Sequence, residues 1–241
     1  MSNISRTRSF RVWWLVGLVA LALAALLTYA QLTGGGASGQ GAAAPTPSAD
    51  ADVSASVEHP IVRRDEGDPA AIGAVDAPVV LVYWTDMRCP FCAVFSRDTL
   101  PALLDEYVDG GKVRIEFRDV AFFGEESARA SAALEAAGNQ GLYVEYLEAV
   151  YAVAPESGHP ELTREELIAF AEQVGVPDMA AFTTGLDSPA GLAAAAQRTQ
   201  EAQQLGVTAV PFFLAGDTAM SGAQATDVFR TFLDDALAKA E

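Results

Sequence analysis

The sequence predicts an α/β fold in which a block of helices interrupts a small sheet. Two β-branched and aromatic runs, at 79–84 and 113–117, are typical of buried strands and flank a helical stretch. From about residue 122 to residue 205 the pattern is helical almost throughout, and a strand, a hairpin and an amphipathic helix follow. The predicted order is therefore β–α–β, a helical insertion, and β–β–α.

Local signals place the individual elements along the chain. We expect an edge strand at 61–64, and a helix after Cys92 that reaches about Val108 and is kinked at Pro101, which removes one hydrogen bond. Glycines and prolines divide the insertion into helices. The predicted helices are 128–137, 142–153, 165–174, Met179–Leu186 and 190–205, followed by a strand at 210–214, a turn at 216–217, a returning strand at 219–221 and a helix over Thr226–Ala240.

Composition and charge limit the class of protein. The chain has 241 residues, of which 51% are apolar, enough for one domain of about 180 residues with accessory segments. It carries 15 basic and 32 acidic residues, giving a net charge of −17. Such a balance argues against nucleic acid or an anionic membrane surface as a partner and indicates a solubilising acidic surface.

The N-terminal part has the pattern of a membrane anchor. Residues 1–11 are polar and basic, 12–32 are apolar and uncharged, and 33–58 are rich in Gly, Ala, Ser and Pro. We predict a cytoplasmic segment, a transmembrane signal anchor and a flexible linker, with the domain at 59–241 outside the cytoplasm. The alternative is a cleaved signal peptide and a secreted protein, although the apolar run exceeds the usual length of a signal core.

The only two cysteines, Cys89 and Cys92, lie where a predicted strand passes into a helix. The free N–H groups and the dipole at a helix N-terminus favour a thiolate at the first cysteine. We therefore predict Cys89 as the nucleophile and Cys92 as the resolving thiol. Pro90 and Phe91 form the turn between them, and proline is well tolerated at a first helical position.

Two other kinds of site can contain a C-x-x-C motif. A zinc site is disfavoured because there is no second cysteine pair and His59 and His159 show no ligand spacing. A structural disulfide is possible, but so short a ring removes little entropy from the unfolded chain. The context favours redox chemistry, and we predict neither a metal ion nor an organic cofactor.

The segment Tyr-Trp-Thr-Asp-Met-Arg-Cys-Pro-Phe-Cys at 83–92 resembles the active site of the DsbA-like thiol–disulfide oxidoreductases of the thioredoxin superfamily. The segment Gly-Val-Thr-Ala-Val-Pro-Phe-Phe at 206–213 is similar to the cis-proline loop of that superfamily. The resemblance covers roughly 60–240. It implies a thioredoxin fold with an inserted helical subdomain and a cis Val210–Pro211 bond facing Cys89.

The resemblance also implies a substrate-binding surface beside the thiols. The main chain at Val210 and Pro211 is expected to hold an extended substrate segment by strand-like hydrogen bonds. Trp84, Phe91 and Phe212 are candidates for an apolar groove, with burial in the core as the alternative for Trp84 and Phe212.

Two residues depart from the family pattern. Tyr83 stands where thioredoxin and several relatives keep a buried carboxylate, so the usual proton relay is missing unless Glu116 or another group replaces it. Phe91 stands where the proteobacterial proteins carry histidine, and it cannot stabilise a thiolate as an imidazolium would. We therefore expect a redox potential that is less extreme than that of the proteobacterial proteins.

The function implied by the resemblance is that of an extracytoplasmic oxidase. It would donate its disulfide to exported proteins that contain cysteines, and a membrane quinone-linked reductase of the DsbB or VKOR type would reoxidise it. A reductase or isomerase of the same fold is one alternative. A non-catalytic binding module with a structural Cys89–Cys92 disulfide is another.

Overall fold

The structure is a computed structural model, and it describes residues 59–241. The predicted cytoplasmic segment, signal anchor and linker lie outside the described residues. Within residues 59–241, no helix is long and apolar enough to cross a membrane.

A five-stranded mixed sheet forms the centre of the domain. Strands β2 and β3 are parallel neighbours, and every other pairing is antiparallel, in the order β1-β3-β2-β4-β5. The β4–β5 hairpin turns at Gly216 and Asp217, as predicted. The strands are β1 Ala71–Ile72, β2 Val79–Thr85, β3 Val113–Asp119, β4 Phe212–Ala215 and β5 Thr218–Ser221.

Helices cover both faces of this sheet, and the predicted insertion is present between β3 and β4. Its five helices agree with the prediction to within a few residues at each end. The helices are α1 over 90–108, α2 Glu125–Gly138, α3 Tyr143–Ala152, α4 Arg164–Val174, α5 Met179–Leu186, α6 Pro189–Gln204 and α7 Thr226–Ala240. The sequence-predicted α/β architecture with a helical insertion is thereby confirmed.

Helix α1 passes through Pro101 without ending. It is α-helical over Pro90–Val94 and Leu100–Leu103, and π-helical over Phe95–Thr99 and Leu104–Val108. Proline has no N–H and its ring crowds the carbonyl four residues earlier, so a wider turn immediately before it relieves both problems. The predicted disturbance therefore takes the form of a π-helical turn.

Because both faces of β2 are covered, its alternate residues enter two separate cores. One core lies between the sheet and helices α1, α3 and α7 and contains Tyr83 with both cysteines. The second core lies on the opposite face and includes Trp84. The first core contains Val79, Leu81 and Tyr83 of β2, and the second contains Val80, Val82 and Trp84.

The predicted edge strand at 61–64 is wrong. Its main-chain N–H groups at Arg63 and Arg64 donate to the Glu116 carboxylate, at 3.0 and 2.8 Å, instead of to a neighbouring strand. The edge position beside β3 belongs to Ala71–Ile72. The strand predicted at 210–214 also begins later, at Phe212, since Pro211 has no N–H to give to the sheet.

Candidate active site

The end of β2 and a tight turn place Cys89 at the N-cap of a helix. Cys89 N–H donates to the Asp86 carbonyl at 2.9 Å, and Arg88 N–H donates to Asp86 Oδ1 at 2.9 Å. Cys89 has extended backbone angles and is the N-cap of α1, with Pro90 as the first helical residue. The predicted location of the C-x-x-C motif is confirmed.

Hydrogen bonds surround the Cys89 sulfur. It accepts the N–H of Cys92 at 3.4 Å and donates to the carbonyl oxygen of Val210 at 3.4 Å. The pKa of Cys89 is lowered, chiefly by a hydrogen bond from the Cys92 thiol and further by the N–H groups of Cys92 and Phe91. Burial and the charge of Asp86 act in the opposite direction. Cys89 is therefore the thiol that ionises more easily.

Cys92 is fully buried, and burial raises its pKa well above the ordinary value for a thiol. The charge and hydrogen bond of Cys89 raise it further, while the Thr85 hydroxyl and the Asp86 N–H lower it. Both cysteines are free thiols in this structure. The two sulfurs therefore have opposite tendencies, with Cys89 ionised first and Cys92 kept protonated.

The proline loop meets the cysteines where the resemblance implied. The Val210–Pro211 peptide bond is cis, and the Val210 carbonyl faces Cys89. Pro211 itself is buried, and its carbonyl accepts the N–H of Gly222 at 2.8 Å. This contact holds the loop beside the start of β4.

The three aromatic candidates for an apolar groove separate in the structure. Phe91 lies between the two cysteines in sequence, at the second residue of α1, and 61% of its surface is exposed. Trp84 and Phe212 instead pack edge-to-face in the second core, with ring centroids 5.7 Å apart, whereas the cysteines belong to the first core. Trp84 and Phe212 therefore contribute to the core, and Phe91 is the exposed apolar group at the thiols.

Glu116 does not replace the missing buried acid. Its carboxylate accepts the Arg63 and Arg64 N–H groups and pairs with Arg114 and Arg118, at 3.3 and 2.6 Å. Burial alone would raise the pKa of Glu116, but these N–H groups and Arg118 lower it overall. Ile115 and Phe117 belong to the core that contains the cysteines. Because successive side chains of a strand point to opposite faces of the sheet, the Glu116 side chain lies on the other face, away from the thiols.

Asp86 and Arg88 organise the loops around the thiols, and the sequence analysis did not identify them. Asp86 accepts N–H groups from Arg88 and Phe122 and the Ser127 hydroxyl, at 2.9, 2.8 and 2.9 Å. Arg88 donates to the carbonyls of Pro160 and Phe123, each at 2.7 Å. An aspartate between a strand and a helix N-cap three residues later is a turn signal that could have indicated the role of Asp86.

The described part of the chain contains no group of three or more His, Cys, Asp or Glu side chains close enough to hold a metal ion.

Comparison with known proteins places this arrangement in a family. A family model described as thioredoxin matches residues 65–235. A probable disulfide bond formation protein D of Bacillus cereus is 30% identical over 145 residues, which cover 58% of this chain and 67% of that protein.

Solved structures agree with this assignment at the level of the fold. The oxidised BdbD of Bacillus subtilis matches with a TM-score of 0.65 and 23% identity, covering 71% of this chain and 94% of that one. The alpha-DsbA1 of Wolbachia pipientis matches with a TM-score of 0.61 and 19% identity, covering 71% and 92%. The chain belongs to the thioredoxin family and is a DsbA-like disulfide oxidoreductase.

Proposed function

We propose that the protein is an extracytoplasmic thiol–disulfide oxidase that donates the Cys89–Cys92 disulfide to exported proteins. One observation carries this proposal: the Cys89 sulfur sits at a helix N-cap, accepts the Cys92 N–H and has a lowered pKa. A stabilised thiolate favours the reduced form of a thiol pair, and this makes the oxidised form a better oxidant.

The reaction proceeds by two thiolate attacks. A substrate thiolate attacks the Cys89 sulfur, a mixed disulfide forms, and the Cys89–Cys92 bond breaks with its electron pair on Cys92. A second substrate thiolate then attacks the substrate sulfur of the mixed disulfide, and Cys89 departs as a thiolate. The substrate gains a disulfide, and the protein ends as the dithiol.

The site offers a place for an extended substrate segment. Phe91 is exposed two residues after the nucleophile, in the first turn of α1, and the Val210 carbonyl lies 3.4 Å from the Cys89 sulfur. A substrate main chain lying along Val210 and Pro211 would place its cysteine at this sulfur, with hydrogen bonds of the kind made between strands.

Export and membrane attachment are part of the proposal and rest on the sequence. The basic residues of 1–11 followed by the apolar run at 12–32 support a single-pass anchor with the domain outside the cytoplasm. A membrane quinone-linked reductase of the DsbB or VKOR type is the proposed partner that reoxidises the dithiol. Protease added to intact cells or spheroplasts should cleave the domain, and protection until lysis would contradict this topology.

The catalytic roles can be tested with the full-length protein in detergent. Oxidised wild-type protein should form disulfides in reduced, unfolded ribonuclease A, and Cys89→Ser should not. Reduced Cys92→Ser should instead accumulate a stable mixed disulfide with a disulfide-containing client, because the resolving thiol is missing. A mixed disulfide trapped by Cys89→Ser, and none by Cys92→Ser, would reverse the assigned roles.

A further inference from the structure

A histidine lies beside the turn that carries the nucleophile. His159 Nδ1 lies 3.0 Å from the carbonyl oxygen of Arg88, the residue directly before Cys89. The His159 ring stacks on the ring of Phe123, with centroids 3.8 Å apart and planes inclined by 25°. His159 is exposed to solvent. Its imidazole is nevertheless fixed by two contacts, one of them to the active-site turn itself.

The Arg88 side chain fixes the two loops that hold this imidazole. Its Nε donates to the carbonyl oxygen of Pro160, the residue after His159, and its Nη1 donates to that of Phe123, each at 2.7 Å. Arg88 is 8% exposed and also pairs with Glu126. The histidine and its stacking partner are therefore both held by the residue that precedes the nucleophile.

The contact with Arg88 determines which nitrogen of His159 is free. A carbonyl oxygen can only accept, so Nδ1 carries the proton of the neutral ring and Nε2 has a free lone pair. No hydrogen bond joins Nε2 to another residue of 59–241. A histidine acts as a general base when a hydrogen bond at one nitrogen fixes its tautomer and orientation and leaves the other nitrogen free.

His159 lies in the region that a sulfur approaching Cys89 must enter. The Arg88 carbonyl oxygen and the Cys89 Cα belong to one peptide group and are about 2.8 Å apart, so His159 Nδ1 lies within about 6 Å of that Cα. A substrate sulfur at attack distance, about 3.5 Å from the Cys89 sulfur, also lies within about 6 Å of the Cα. The imidazole and the incoming sulfur therefore share the space around the nucleophile.

The surroundings of Cys89 disfavour the arrival of a substrate as a thiolate. Cys89 is only 2% exposed, so an incoming sulfur loses most of its water before it reacts, and loss of water disfavours the charged form. The charge of the buried Asp86 carboxylate raises the pKa of Cys89, and the same charge repels an incoming anion. A substrate that enters as a neutral thiol needs a base at the site.

Other possible bases are already engaged or lie elsewhere. Asp86 accepts three hydrogen bonds, and Glu126 pairs with Arg88. The only other histidine of the chain is His59, which accepts the N–H of Ile61 through Nδ1 at 3.3 Å. Among these groups, His159 alone combines a free nitrogen with a contact to the turn that carries Cys89.

We propose that His159 is the general base that removes the proton of an incoming substrate thiol. This inference rests on the proposed function, in which a substrate attacks the Cys89–Cys92 disulfide. The thiol proton passes to Nε2 as the substrate sulfur bonds to Cys89, and the disulfide breaks with its electron pair on Cys92. The imidazolium then releases its proton to water, since His159 is exposed. Arg88 and Phe123 are positioning residues that hold the base.

The test compares two substrates that differ in the acidity of the attacking group. Oxidised full-length protein is mixed in single-turnover experiments with a reduced peptide of two cysteines, or with the same peptide carrying selenocysteine at the first position. A free thiol is about 3% ionised at about pH 7, whereas a selenol is mostly ionised. Loss of a base should therefore slow the thiol peptide by at most about thirtyfold, and it should not slow the selenol peptide.

His159→Asn keeps an amide N–H near the position of Nδ1 and removes the base. We expect the second-order rate constant of the thiol peptide to fall by about five- to thirtyfold, and that of the selenol peptide to stay within about twofold of wild type. At about pH 9 a free thiol is mostly ionised, so variant and wild type should oxidise the thiol peptide at nearly equal rates. Equal slowing of both peptides, or no slowing of either, would overturn the proposal.

Controls separate this result from other failures. His59→Asn makes the same change at the other histidine and should alter neither rate constant. If His159→Asn does not fold, His159→Gln gives the same comparison. Wild-type protein that oxidises neither peptide would contradict the proposed function itself. Active wild-type protein with unchanged rates in the His159 variants would contradict the role of the base alone.

Discussion

The Cys89 sulfur lies 3.4 Å from the carbonyl oxygen of Val210, a residue 121 positions further along the chain. This contact exists because β2 and β4 are antiparallel neighbours, with Trp84 opposite Phe212. The C-terminal end of β2 and the loop before β4 therefore lie at the same end of the sheet. The nucleophile and the proposed substrate-binding loop come together through sheet register.

The first prediction concerns the acidity of Cys89. Its lowered pKa depends most on the hydrogen bond from the Cys92 thiol, so Cys92→Ala should raise it. The midpoint of iodoacetamide alkylation against pH should shift upward in Cys92→Ala. Cys92→Ser, which keeps a hydroxyl donor, should fall between Cys92→Ala and wild type. A midpoint that is the same in all three proteins would show that the thiol of Cys92 does not acidify Cys89.

The second prediction concerns Asp86, which has opposite effects on reactivity and stability. Its charge raises the pKa of Cys89, so Asp86→Asn should lower that pKa and speed alkylation near neutral pH. The asparagine cannot accept all three hydrogen bonds, and we expect the free energy of unfolding to fall by about 1–3 kcal/mol. Asp105→Asn, at an exposed position on α1, is the control and should change neither quantity. Slower alkylation in Asp86→Asn would contradict the electrostatic assignment.

The third prediction concerns the buried ion pairs of Glu116 with Arg114 and Arg118. Glu116→Gln leaves two buried guanidinium groups without their anion and should destabilise the protein by about 3 kcal/mol at neutral pH. The pKa of Glu116 is lowered in the folded state, so its stabilisation is present above the unfolded pKa and is lost as the pH falls through the folded pKa. The difference between wild type and Glu116→Gln in urea unfolding should accordingly shrink in acid.

The control for Glu116 is an exposed carboxylate with an equally short arginine contact. Glu106 accepts from Arg230 at 2.6 and 2.7 Å on the surface of the domain. Surface ion pairs contribute little, so Glu106→Gln should leave the unfolding midpoint nearly unchanged. Equal losses of unfolding free energy in Glu106→Gln and Glu116→Gln would show that burial does not account for the stabilisation by Glu116.

The fourth prediction concerns Phe91, the second of the two residues between the cysteines. Phe91 is exposed at the second helical position, so Phe91→His should be tolerated. Its imidazolium should stabilise the Cys89 thiolate and raise the reduction potential by about 10–20 mV. Because free histidine titrates near pH 6.5, the effect should be larger at about pH 6 than at about pH 8. Phe91→Gln is the neutral control, and an equal shift in both variants would exclude a charge effect.

The sequence predicts those features that depend on neighbouring residues. Local periodicity and turn residues predict the change from strand to helix at Cys89. They also predict the helix boundaries of the insertion and the C-terminal helix. The prediction of an edge strand at 61–64 is wrong because the N–H groups of Arg63 and Arg64 donate to the carboxylate of Glu116, which lies more than fifty positions away. Arg88 was missed for the same reason, since the carbonyls of Phe123 and Pro160 to which it donates are remote in sequence.

The most direct measurement is the equilibrium reduction potential of the Cys89–Cys92 pair in the full-length protein, titrated against glutathione. An oxidase should give a value between about −120 and −180 mV, the range of DsbA and disulfide isomerase. A value near about −270 mV, that of thioredoxin, would indicate a reductase and contradict the proposed direction of electron transfer. A disulfide that stays closed below about −300 mV would indicate a structural bond and contradict the whole mechanism.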